Sequence, residues 1–248
     1  MNKILITGAT KGLGRETAVW FAKKKIKLIL VGRNEDDLKK LLNKLQYKKN
    51  HSILCLDLQK PEQINKINIK QKMFAGLDRI IHCAGGGLGI KSPFLNYDDF
   101  LTLLNLNFLS AVEINNKFMP ILKKKESRII HIGSIASFEA VGSVGYNCAK
   151  SILLAYVRSV GRLMIKNKIT VTGILPGGFI GYKNAMWRLK KRNLTAYNKF
   201  IKSRLPSQKM YNSKDLIPMI DMMCSSNISM LSSNMVVMDG GEGKSYFH

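Results

Sequence analysis

At 248 residues and 46% hydrophobic composition, the chain can bury the core of one domain and is too apolar for intrinsic disorder. Lys and Arg number 40 against 16 Asp and Glu, a net charge of +24, but no helix-turn-helix, zinc-finger or RNA-binding aromatic motif accompanies that charge. A coding sequence rich in A and T raises Lys, Asn and Ile together and accounts for most of it; with no run of about 18 uncharged apolar residues either, neither nucleic acid nor a membrane is an expected partner.

The first apolar run, 4–6, predicts a strand that begins almost at Met1, which leaves no room for a signal peptide and points to the cytoplasm. Directly after it, Thr7-Gly8-Ala9-Thr10-Lys11-Gly12-Leu13-Gly14 turns through three glycines into a predicted helix at 14–24. A strand that turns into a helix in this way leaves N–H groups unpaired at the helix N-terminus, where the positive end of the helix dipole meets a ligand pyrophosphate. Gly8 permits the tight turn, Gly12 lets phosphates approach the backbone, and Gly14 lets the helix pack closely on the sheet.

Further strands are predicted at 27–31, 52–56, 79–83, 128–132, 170–175 and 234–238, and further helices at 35–45, 61–75, 97–124, 146–166 and 211–224. Strands that alternate with helices predict an α/β fold: a Rossmann-type doubly wound, parallel, seven-stranded sheet with helices on both faces, as one domain over 1–248. Pro176-Gly177 closes the sixth strand, and the pattern then loosens over about 178–210. That segment lies beyond the carboxyl end of a strand, where open α/β sheets bind ligands, and is expected to be a substrate flap. Cys55 and Cys83 fall in strands expected to be buried. With Cys148 and Cys224 they show no metal-ligand spacing, so no metal site is expected and reduced thiols fit the cytoplasm.

Tyr146 and Lys150 are one helical turn apart and share a helix face. A phenol titrates near 10, and an adjacent ammonium is expected to bring it toward neutral pH, so that it can give a proton to a carbonyl oxygen or take one from an alcohol. The pair opens a helix shortly after a strand that leads to Ser134.

With these motifs in order, the chain resembles the short-chain dehydrogenases/reductases, in their compact single-domain branch. Thr7 to Gly14 matches that family's T-G-x-x-x-G-x-G loop, and Asp57-Leu58 resembles the acidic-then-apolar pair that holds the adenine. His82-Cys83-Ala84-Gly85 takes the place of N-N-A-G with both asparagines changed, a departure expected to reflect packing. Asn107, Ser134, Tyr146 and Lys150 match the catalytic four, Pro176-Gly177 the PG turn, and Val237 to Gly241 the closing strand. The resemblance implies that Tyr146 is the proton donor or acceptor and that Ser134 fixes the substrate oxygen. It implies that Lys150 bonds the nicotinamide ribose and depresses the tyrosine, and that Asn107 holds a water linking Lys150 to solvent. The cofactor contacts it implies are Gly8, Thr10, Lys11, Gly12, Leu13, Gly14, Arg33, Asp57, Leu58, Ala84, Gly85, Tyr146, Lys150, Pro176 and Gly177. The threonine often found after the PG turn is replaced here by Gly178-Phe179-Ile180-Gly181.

An acidic residue at the end of the second strand would favour NAD(H), whereas Arg accommodates a 2′-phosphate. The sequence there, Gly32-Arg33-Asn34, has no carboxylate, and Lys11 adds a second cation, so NADP(H) is favoured over NAD(H). The expected activity is interconversion of a carbonyl and a secondary alcohol. Residues 178–210 hold nine Lys and Arg and no Asp or Glu, which suits an anionic small molecule: a keto-sugar nucleotide, a sugar acid or a 3-oxoacyl carrier thioester. The rival readings are a sugar epimerase or dehydratase, which would carry a T-G-x-x-G-x-x-G loop and a longer chain, and a non-catalytic nucleotide-binding regulator, which would lack the Tyr or Lys. The apolar helices at 97–124 and 146–166 and the last strand allow a homo-oligomer, a dimer or tetramer.

Overall fold

The computed structural model describes residues 3–123, 126–225 and 228–245. Seven parallel strands form one sheet in the order β3-β2-β1-β4-β5-β6-β9: β1 (Lys3–Thr7), β2 (Lys27–Gly32), β3 (Ser52–Cys55), β4 (Leu77–His82), β5 (Ser127–Ile132), β6 (Ile169–Pro176) and β9 (Met235–Met238). The helices between them are α1 (Gly12–Lys23), α2 (Glu35–Lys44), α3 (Pro61–Asn65), α4 (Tyr97–Leu104), α5 (Ser110–Leu122), α6 (Val144–Met164), α7 (Ala185–Arg192), α8 (Leu194–Arg204) and α9 (Ile217–Cys224). Strands covered on both faces read as continuous apolar runs, and β4, β5 and β6 are buried along their whole length.

Side chains alternate across the sheet, and this divides the core in two. Ile4, Ile6, Leu28, Leu30, Ile81 and Ile130 meet α1, α2 and α9 through Phe21, Leu38 and Ile220. Leu5, Ile29, Val31, Ile80 and Ile129 meet α3, α5 and α6 on the other face through Ile64, Phe118 and Leu153. The strand order reverses between β1 and β4, which makes their carboxyl ends the crevice where such sheets take ligands.

Several expectations from sequence are corrected. The helix expected at 61–75 stops at Asn65, because the Asn68 side chain accepts the Lys70 N–H (3.0 Å) and turns the backbone out of helix; only a 3₁₀ turn, Lys72–Phe74, follows. The helix expected at 97–124 is two helices joined by a π turn, Asn105–Leu109, and its end at Lys124 lies outside the described residues. Tyr211–Asn212 form a short strand, β8, paired with β7 (Phe179–Ile180). Asn212 and Asp215 then form a capping box that starts a 3₁₀ turn, Ser213–Leu216, and the α-helix proper follows from Ile217. Cys55 is exposed because β3 is the sheet's edge strand, and Cys83 lies half-buried just past β4.

Among the described residues no helix is long and apolar enough to cross a membrane, and no group of three His, Cys, Asp or Glu could hold a metal ion.

Candidate active site

The turn after β1 is built around close backbone approach. Gly8 and Gly12 have φ of +63° and +51°, in the left-handed region that glycine enters without penalty. A Cβ on Gly8 would lie 2.8 Å from the Ala84 nitrogen, and one on Gly14 would run into the Gly8 carbonyl oxygen. The Ala84 N–H donates to Thr7 Oγ1 (3.2 Å), which ties the end of β1 to the turn after β4.

Lys11 is the N-cap of α1 and makes no side-chain cap bond. The Gly12 N–H is taken by the Tyr182 carbonyl (2.7 Å), and the Arg15 guanidinium sits 4.8 Å from the centre of the Tyr182 ring. The N–H groups of Leu13 and Gly14 are therefore the first-turn donors that no backbone acceptor among the described residues takes. Thr10 packs beside Gly32, so the neighbours of these two residues, Lys11 and Arg33, both exposed, stand on one rim of the crevice.

Asp57 follows β3 on the same edge. Its N–H donates to Gln63 Oε1 (2.8 Å), its Oδ1 accepts from Gln59 N (3.1 Å), and Leu58 beside it is buried.

Four further groups gather past β4 and β5. Ser134 caps the turn Ile135–Ser137, its Oγ accepting the Ala136 N–H (3.1 Å), and it stands beside the Tyr146 phenol, which it makes more acidic. Lys150, one turn along α6, is only 2% exposed and donates to the Ile132 carbonyl (3.0 Å). Asn107 sits in the π turn, an irregularity that often marks functional positions. Its Oδ1 accepts the Gly86 N–H (2.9 Å), and its Nδ2 donates to the carbonyls of Gly86 (3.1 Å) and Leu103 (2.9 Å). Only glycine fits at 85: a Cβ there would lie 2.9 Å from Asn107 Oδ1 and 3.2 Å from Lys150 Nζ.

Burial pushes the Lys150 ammonium down to about 8. It pushes the Tyr146 phenol up, against the opposing hydrogen bond from Ser134. This corrects the expectation of a depressed tyrosine: the ammonium lies 5.7 Å from the Tyr146 ring centre and is engaged by the Ile132 carbonyl, and burial wins.

Pro176 ends β6. The Gly177 N–H bonds the Met238 carbonyl (3.2 Å), and the Gly178 N–H bonds Glu242 Oε2 (2.5 Å). The segment after it, about 178–210, holds β7, α7 and α8. The structure thus brings every sequence-derived site residue to the carboxyl ends of the strands or onto the helices that start there. It adds Tyr182 and Glu242, whose contacts join segments far apart in the chain and leave no local sequence signal.

A family model for short chain dehydrogenase matches residues 2–191 of the chain. A curated relative, the NADP-dependent 3-hydroxy acid dehydrogenase of Schizosaccharomyces pombe, is 33% identical over 181 residues, 70% of each chain. An uncharacterized oxidoreductase of Staphylococcus aureus is 27% identical over 176 residues, 70% of this chain and 76% of that one. Among solved structures, ElxO with NADP bound superposes with a TM-score of 0.86 at 22% identity, covering 97% of this chain and 98% of that one. L-sorbose reductase of Gluconobacter frateurii, complexed with NADPH and L-sorbose, superposes with a TM-score of 0.87 at 22% identity, covering 98% and 97%. At that identity these two structures establish the fold.

Proposed function

The chain belongs to the short-chain dehydrogenase family, and from that premise we propose that it is an NADPH-linked oxidoreductase interconverting a carbonyl and a secondary alcohol. One observation carries this reading: the Tyr146 phenol stands beside Ser134, with a buried Lys150 one turn along α6 and next to Asn107 and Gly85.

The residues fit a dinucleotide. The cradle of Gly8 and Gly14 has no room for side chains, and Leu13 and Gly14 keep free N–H groups at a helix start for a pyrophosphate. Asp57 and Leu58 would hold the adenine, Ala84 and Gly85 the middle of the molecule, and Pro176 and Gly177 the nicotinamide side. When bound, the cofactor supplies or accepts the hydride. The chain does the rest. Ser134 Oγ donates a hydrogen bond to the carbonyl oxygen, and Tyr146 Oη delivers the proton to it as the alcohol forms. Burial keeps the phenol protonated through neutral pH, the form that donates during reduction. Lys150, one turn along α6, would bond the nicotinamide ribose, and Asn107 stands where a water can return the proton.

Arg33 and Lys11 are the proposed grip on the 2′-phosphate. Arg33→Ala is expected to raise the NADPH dissociation constant about 10- to 100-fold, the loss of one charge-assisted, bidentate contact, and to leave NADH affinity within about 2-fold. Titration of both cofactors at low salt checks this, and equal losses for the two would remove Arg33 from phosphate recognition.

The substrate is proposed to be anionic. The flap exposes Arg188, Lys190, Lys191, Arg192, Lys199, Lys202 and Lys209 with no carboxylate among residues 178–210. NADPH oxidation with an acetoacetyl carrier-protein thioester and with a set of keto-sugar nucleotides tests the function. Turnover of either supports the reading and selects the class. Silence on both and on simple ketones, with NADPH bound, would favour a nucleotide-binding regulator. Exposed Tyr97 on α4, Ile152 and Leu163 on α6, and the outer edge of β9 support a homo-oligomer, dimer or tetramer.

A further inference from the structure

The residues after β9 make contacts that the chemistry above does not use. Asp239 accepts the N–H groups of Gly241 (2.9 Å) and Gly243 (2.8 Å), which folds the chain into a tight turn. The turn directs Glu242 inward, where it is 6% exposed. One carboxylate oxygen accepts the Gly178 N–H (2.5 Å), and the other accepts Arg204 Nη2 at the end of α8 (3.0 Å). The fit is close: a Cβ on Gly177 would lie 2.7 Å from Glu242 Oε2, and one on Gly178 would lie 2.7 Å from the Phe200 ring of α8.

A few residues further, the N–H groups of Lys244 (2.6 Å) and Ser245 (2.9 Å) donate to Glu139 Oε1, on the loop that begins at Ser134. One short tail is therefore bonded to the Ser134 loop, to the turn after β6 and to the last residue of the flap's second helix. At its other end the flap lies on the glycine loop through the Tyr182 carbonyl on Gly12. Burying a carboxylate is costly unless it is paired and hydrogen-bonded, and Glu242 spends both of its oxygens joining these elements.

We propose that Glu242 is a positioning residue, a latch that holds the flap on the turn after β6 and, through Tyr182, on the glycine loop, so that release of the dinucleotide requires the latch to open. The clause on the dinucleotide rests on the NADPH reading; the latch itself does not. The flap's own Lys and Arg make it a substrate for trypsin, so its opening can be read without any enzymatic activity. In limited trypsin digestion of the full chain, Glu242→Ala should speed cleavage within 183–209 at least 10-fold and leave cleavage in α1 and α2 unchanged. Glu242→Gln retains an oxygen for the Gly178 N–H but not the charge for Arg204. It should fall between Ala and wild type, together with Arg204→Met.

Stopped-flow NADPH fluorescence gives the second reading. The dissociation rate should rise at least 5-fold in Glu242→Ala with the association rate within 2-fold, a split that general loosening of the fold would not produce. Unchanged flap cleavage in all three variants, or cleavage raised equally across the chain, would overturn the latch. Faster flap cleavage with an unaltered NADPH dissociation rate would overturn the clause that release of the dinucleotide requires the latch to open. If wild type binds no NADPH, the cofactor reading fails, and the proteolysis order alone decides for or against the latch.

Discussion

Tyr146→Phe is expected to lower turnover about 10³-fold, roughly 4 kcal/mol of transition-state stabilisation, and to leave NADPH affinity within a few-fold. The ring stays in place because packing around the start of α6, not the hydroxyl, fixes it: Gly145 next to it is wedged against Leu95 and Leu103. What goes is the proposed proton donor, the hydroxyl beside Ser134. Without it the carbonyl oxygen would have only Ser134 to meet its developing charge, and no group within reach could hand it a proton. Lys150 cannot substitute, since its ammonium is drawn to the Ile132 carbonyl (3.0 Å). Measuring kcat for NADPH oxidation beside the NADPH dissociation constant separates the two effects. A Phe variant within 10-fold of wild type would remove Tyr146 from the chemistry.

The parts of this site that sequence made legible are those in which neighbours in the chain are neighbours in space. The loop from Thr7 to Gly14 lies between a strand and a helix whose periods can be read, and Tyr146 and Lys150 share a helix face by spacing alone. Strand existence was legible for the same reason, and strand order was not. That is why Cys55 was expected to be buried when it lies on the edge strand. That Asn107 lies in a helical segment is legible from sequence, but the π turn that presents it depends on tertiary context. The direction of the tyrosine's shift was misjudged because spacing puts an ammonium near a phenol without saying which carbonyl will claim it. Tyr182 on Gly12 and Glu242 on Gly178 join segments whose separation along the chain no periodicity encodes.

The change from asparagine to histidine at the start of the His82-Cys83-Ala84-Gly85 motif has a consequence for stability. His82 on β4 and His131 on β5 are register partners. Their rings stack with centroids 4.6 Å apart and an interplanar angle of 17°. His82 Nε2 meets Asn115 Oδ1 (2.9 Å), and Asn115 Nδ2 donates to the Tyr156 hydroxyl (3.1 Å). Neither ring nitrogen of His131 has a partner among the described residues. Burial pushes His82 down to about 4 and His131 well below its ordinary value, with the Lys150 charge adding to the effect on His131. The ionisable groups that face the pair are Lys150 and Tyr156 from α6, and among the described residues no carboxylate offsets them.

A histidine with a lowered folded pKa binds its proton more readily in the unfolded chain. Its contribution to stability is therefore full above about pH 6.5 and is lost as pH falls from there toward 4. For His82 alone the loss is about 3 kcal/mol, a large share of the 5–15 kcal/mol typical of a whole domain. His131 and His51, also pushed down by burial, add to it. Glu242, pushed up by burial, works in the opposite direction over part of the same range. Urea unfolding at pH 7.5 and pH 5 should show a marked fall for wild type. His82→Asn keeps a side chain that can donate to Asn115 and removes one titration, so its stability should fall less steeply, by up to about 1.4 kcal/mol per pH unit. Equal stability of wild type at the two pH values, or the same slope in the variant, would show that the pair does not set the protein's sensitivity to acid.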